Sequence, residues 1–187
     1  MKPLLRAAHS SFAILAFGCA TKPDVHQPDS AVVASNPSLL TADAESSAVA
    51  FARSFYRSYA PRGAASGLFA VDSIISERPA AFSRDLLQAL KADAKTRSEA
   101  QGEIAGLDFD PFLGGQDCDK YEVGSPFASA TAPANVLVPV FAVCSGKRDT
   151  VPVVIAEVAR EKTDWAFANF RYPGVPGPDL LTTLKQR

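Results

Sequence analysis

Histidine is scarce in this chain: two residues among 187, His9 and His26, both near the N-terminus. Residues 41–187, which read as the folded domain, have none. Ser-His-Asp and Cys-His catalysis, and histidine-ligated zinc, need an imidazole that this segment does not supply. An enzyme built on it would have to move protons with carboxylates, Tyr or Lys. Runs of Lys and Arg are missing as well, and the formal net charge is −1, so the footprint of a nucleic-acid binder is absent. Beyond the N-terminal region no apolar run approaches the ~20 residues that span a bilayer. Cysteine is sparse too. Cys19, Cys118 and Cys144 are the only three, and none has a neighbour at the CxxC spacing of a metal site.

What is present begins with the first twenty residues. Lys2 and Arg6 make a short positive region, residues 11–17 (SFAILAF) a short apolar one, and small residues surround Cys19. That is the layout of a bacterial secretory signal. It resembles a lipoprotein signal, in which a cysteine after a small residue becomes the acylated N-terminus, here Cys19 after Gly18. Such signals place Leu three positions before the cysteine, whereas this chain has Ala16 there and Leu15 one place earlier. Ordinary cleavage after Ala20 and a retained anchor are the alternatives. Acyl chains such as palmitate would hold the protein on a membrane, at about 0.8 kcal/mol per buried methylene. Ala20 is not the Asp that retains some lipoproteins at the inner membrane, so the resemblance implies the outer membrane, facing the periplasm. Lys2 and Arg6 carry the only charges of residues 1–18, which leaves −3 on the remainder.

Residues 19–40 hold Pro23, Pro28 and Pro37 with no sustained period and read as a flexible tether. Residues 41–187 then suffice for one domain. Apolar residues at helical spacing (Val49, Ala52, Phe55, Tyr56, Tyr59) predict a helix over residues 42–60, capped by Thr41 and ended by Pro61 and Gly63. Further helices are expected over residues 68–76 and 83–100. Residues 107–117, LDFDPFLGGQD, form a turn-rich loop. Strand patterns follow at 118–130 (broken by Pro126), 136–144, 151–160 and 164–172, then a short helix at 179–186. Residues 136–144 are apolar at almost every position, so both faces should be covered, and Pro139 and Pro152 should each mark a bulge, strand end or edge. Helices first and about four antiparallel strands second make an α+β domain. Cys118 and Cys144, an even pair in an exported domain, read as a disulfide, the alternative being two free thiols.

Phe55-Tyr56-x-x-Tyr59, LDFDPFLGGQD and the closing Tyr172-Pro173 resemble the YbjP-like family of uncharacterised bacterial lipoproteins over about residues 45–187. The resemblance implies a nuclear-transport-factor-two-like fold, in which helices pack inside a strongly bent, cone-like sheet. It transfers no catalytic residues.

Two constellations are candidate sites. Asp108, Asp110, Asp117 and Asp119 offer oxygen ligands for a hard cation such as calcium, but miss the EF-hand spacing and equally suit turn chemistry. Phe55, Tyr56, Tyr59, Phe141, Trp165 and Phe167 would line the cone interior and hold a small apolar ligand, or simply fill the core. Tyr56, Tyr59 and Asp110 suit the Asp/Tyr proton transfer of ketosteroid isomerase only by fold analogy. The reading favoured by the sequence is a non-enzymatic, cofactor-free envelope module that docks a protein partner. A ligand binder comes second, and a carboxylate- and Tyr-dependent enzyme third.

Overall fold

The computed structural model describes residues 41–100, 105–115, 118 and 120–187. Helices come first: α1 (Ala42–Ser66), α2 (Leu68–Glu77) and α3 (Arg84–Glu99), with a 3-10 turn at Pro79–Ala81. Six strands follow: β1 (Lys120–Val123), β2 (Phe127–Ala128), β3 (Val136–Cys144), β4 (Lys147–Arg148), β5 (Val154–Glu161) and β6 (Asp164–Arg171). A short helix, α4 (Leu180–Lys185), comes last. All ladders between strands are antiparallel, in the order β1–β3–β5–β6, with β2 and β4 also paired to β3. The fold is α+β, with an open antiparallel sheet. No helix among the described residues is long and apolar enough to cross a membrane.

Six strands replace the four expected because two lines of strand are each split. Along one side of β3, pairing stops at Val123↔Val140 and resumes at Phe127↔Leu137. Gly124 N–H donates to the Pro139 carbonyl at 2.9 Å, so position 139 faces this side. The donor that proline lacks would have returned to Gly124, and β1 ends where that bond is missing. Along the other side the register changes from Val143↔Arg148 to Val140↔Val154, and residues 150–152 loop out around Pro152. Cys118 and Cys144 are joined by a disulfide, Cα to Cα 4.7 Å, at the Lys120 end of β1.

The helix boundaries follow from side chains that satisfy orphan amides. Thr41 Oγ1 accepts from Ala44 N–H at 3.2 Å, Ser83 Oγ from Leu86 N–H at 3.4 Å, and Asp179 Oδ1 from Thr182 N–H at 2.9 Å. The C-terminus of α1 overturns the sequence expectation, since the helix runs through Pro61 and Gly63 to Ser66. A proline inside a helix costs about 3 kcal/mol, because its ring crowds the carbonyl four residues back and it has no N–H to offer. Packing outweighs that cost here. Gly63 is buried against Leu113, Asp110 and Tyr59, so the last turns of α1 are held by what lies over them.

The core lies between the helices and one face of the sheet. Ala48, Ala52, Phe55, Tyr56 and Tyr59 of α1 meet Val136, Val138 and Val140 of β3, Val154, Ala156 and Val158 of β5, and Phe167 and Phe170 of β6. Leu137 and Val143, on the opposite face of β3, are buried too, as the unbroken apolar run requires. The edge of β6 is met by the segment before α3, where Phe82 bridges Phe167 and Ser83 N–H donates to the Phe167 carbonyl at 2.8 Å. Arg97 on α3 pairs with Asp93 one turn back and with Asp72 of α2 at 2.5 Å, and Asp93 accepts from Leu107 N–H at 2.9 Å. That network fixes α2, α3 and the start of the following loop to one another.

A Cβ built on Gly63 would lie 2.7 Å from Leu113 Cδ1 and 2.8 Å from Asp110 Oδ2. Gly63→Ala is therefore expected to destabilise the domain by about 2 kcal/mol of overpacking, despite alanine's better helix propensity. Chemical denaturation tests it. An unchanged or raised midpoint would mean that the loop over α1 yields freely.

Candidate functional site

The described part of the turn-rich loop, residues 105–115, carries much of its apolar side-chain surface inward. Leu107, Asp110, Pro111, Phe112 and Leu113 are buried, and Asp110 has no exposed surface at all. A buried carboxylate must have its oxygens satisfied, and each here has a partner. Oδ1 accepts from Phe112 N–H at 2.9 Å and Leu113 N–H at 3.2 Å, while Oδ2 accepts from the Tyr59 hydroxyl at 2.6 Å. Two further hydroxyls hold the loop by its backbone. Tyr56 donates to the Phe112 carbonyl at 3.0 Å, and Tyr172 to the Pro111 carbonyl at 3.0 Å. All three tyrosines named in the sequence resemblance thus converge on LDFDPFLGG.

Burial sets the electrostatics of this cluster. Desolvation raises the Asp110 carboxyl above its ordinary value, opposed by the hydrogen bonds from Tyr59, Phe112 and Leu113. Desolvation, then the Asp110 charge, pushes Tyr59 and Tyr56 far up, and the same two causes act on Tyr172. None of these phenols can serve as a base near neutral pH. Every polar atom of the Tyr59–Asp110 pair is committed to holding the loop, and the pair is closed to solvent. Its chemistry is structural.

Five of the six expected pocket residues lie on the core side and the sixth does not. Phe55 packs on Tyr56, Tyr59 and Phe167 with ring centroids 4.7–5.5 Å apart, and the rings of Phe82, Phe112 and Phe170 surround them. Trp165 is at the rim of this core, its indole N–H donating to Ser47 Oγ at 2.8 Å and its ring under Arg160. Phe141 is on the opposite face of the sheet, beneath the Arg148 guanidinium at 3.6 Å. The strand alternation that buries Val140 and Ala142 sends residue 141 the other way. The carboxylates do not gather either. Asp108 is exposed while Asp110 is sealed inside, and Asp117 and Asp119 lie outside the described residues, as does Cys19. Among the described residues no three His, Cys, Asp or Glu side chains are placed to hold a metal.

Sequence reasoning missed a surface feature, a groove between α1 and the line of β1. Two adjoining depressions of about 410 and 520 Å³ share Arg53 and Val123. Tyr56, Ala60 and Val123 give the first an apolar floor, with Arg53, Arg57, Lys120 and Glu122 on its rim. The second continues past Val49 and Ala50 to Ala42, opposite residues 124–126. All four residues of β1 line the first depression, although alternate side chains point to opposite faces, so the strand's edge itself forms the wall. Lys120 is paired with Glu122 at 2.7 Å, whereas Arg53 and Arg57, both exposed, have no carboxylate partner among the described residues. The signal was in the sequence, as two arginines four apart on the polar side of the aromatic helix.

No family model, no curated protein and no solved structure matches this chain.

Because the folded Asp110 has a raised pKa, folding favours its protonated form. That contribution is whole below the unfolded value of about 3.9 and is lost as pH rises through the folded value. Against Asp110→Asn, the native protein is expected to lose melting temperature as pH rises above about 4, and the variant's profile should be flatter. Parallel profiles would rule out a desolvated carboxylate. Tyr59→Phe removes the donor to Oδ2 and should cost about 2 kcal/mol.

Proposed function

We propose that this protein is a non-catalytic, envelope-tethered interaction module that docks a protein partner in the groove between α1 and β1. The observation that carries the proposal is the contrast between its interior and its surface. The aromatic interior is packed ring on ring and the Asp110 carboxylate within it is fully committed, whereas the α1–β1 groove combines an apolar floor, a strand edge turned outward at Val123 and two arginines with no carboxylate partner among the described residues. An apolar groove walled by a strand edge is a surface on which proteins recognise extended segments of partners. The N-terminal residues support the remainder of the reading. Cys19 would carry the lipid, residues 19–40 would act as tether, and the outer membrane facing the periplasm would be the location. Membership of the YbjP-like lipoprotein family, and a cone-type nuclear-transport-factor-two-like sheet, are part of the same proposal. The sequence resemblance and the helix-then-antiparallel-sheet order support them.

A photo-crosslinking amino acid at Ala50, exposed in the groove, should capture a discrete partner in intact cells. The same group at Lys91, exposed on α3, should not. Equal capture at both positions, or none at Ala50, would remove the groove from the interaction.

A further inference from the structure

The occupant of the α1–β1 groove can be specified from its charge and dimensions, given the reading of that groove as a docking surface. We infer that it takes an extended acidic segment of a partner protein, with two carboxylates at positions i and i+2, laid along the edge of β1.

Three observations carry this inference. Length is the first. The groove follows α1 from Ala42 to Pro61, about 28 Å at 1.5 Å per residue, which matches about eight residues of extended chain at ~3.3 Å each. The second is the strand edge. Gly124 pairs with Pro139 through its N–H, so by alternation the peptide groups of Val123 point away from β3 into the groove. They have no partner among the described residues, and an added strand is the usual occupant of such an edge.

Charge geometry is the third. Arg53 and Arg57 stand one helical turn apart, about 6 Å along α1, and same-side residues of an extended chain are separated by about 6.6 Å. An acid-x-acid pair therefore meets both guanidiniums at once, and the intervening side chain points away from α1. Glu122, at the arginine end, is already held by Lys120 at 2.7 Å and Arg148 at 3.6 Å, whereas Glu45 at the other end disfavours acids there and sets the direction in which the segment is read.

The probe is a phage-displayed library of random octapeptides, selected on the full chain in mild detergent beside Arg53→Glu/Arg57→Glu. Both positions are exposed, and circular dichroism verifies that the variant folds. The pool from the native protein should be enriched several-fold in Asp or Glu at i and i+2 with apolar neighbours. A synthetic peptide from that pool should bind the double variant at least tenfold more weakly, and the neutral variant Arg53→Gln/Arg57→Gln should give an intermediate loss. A pool without acidic excess, or affinity unchanged in the double variant, overturns the inference. Either result together with intact crosslinking from Ala50 would refute the acidic occupant alone. Absence of that crosslinking in the native protein would refute the docking groove itself.

Discussion

A carboxylate with no exposed surface constrains much of this molecule. Asp110 accepts from two amides of its own loop and from the Tyr59 hydroxyl, and through those bonds an irregular segment becomes part of the core. With the loop held inward, Phe112 and Leu113 reach the aromatic cluster. With Leu113 and Asp110 in place, only glycine fits at position 63, and the last turns of α1 persist past Pro61. Tyr56 and Tyr172 hold the same loop by its carbonyls from two different elements, a helix and the segment after β6. Helices, loop and sheet meet at this one buried acid, where removing a partner leaves a charge or a dipole without solvent.

That arrangement commits the interior to structure. A charged group and its phenol at the heart of a domain suggest chemistry, and the same pair in an open cavity would invite it. Here the short Tyr59–Asp110 bond, the amides on the other oxygen and the encircling rings leave no valence for a substrate. The features that remain uncommitted lie on the helix face turned away from the core and on the adjoining strand edge. α1 therefore serves two surfaces, with its aromatic stripe completing the interior and its arginines one turn apart bordering the groove.

Element order, both long helices and the span of β3 were legible in the sequence because each rests on local signals, namely periodicity, caps and an unbroken apolar run. The errors arise where distant contacts override local preference. Pro61 is a helix breaker until Leu113 and Asp110 pack on the turn beyond it, and those residues are fifty positions away. Residues 107–115 have the composition of a surface turn, and only the tyrosine hydroxyls at positions 56, 59 and 172 make their burial tolerable. Phe141 was grouped with the interior aromatics because it is aromatic, whereas its place in β3 already assigned it to the other face. The arginine pair went unread because exposed charges on a helix ordinarily mean only solvation, and a groove needs a second wall that sequence does not reveal.

The disulfide acquires a further meaning from where it sits on that wall. β1 has one neighbour, β3, and Cys118–Cys144 clamps the pair beside Lys120, at the cationic end of the groove. At the other end the ladder stops at Gly124, opposite a proline that cannot donate. Local opening has a preferred starting point under such a constraint. Separation of β1 from β3 is therefore barred at the bridged end and least opposed at the Gly124 end, so the covalent link makes the two ends of one short strand unequal.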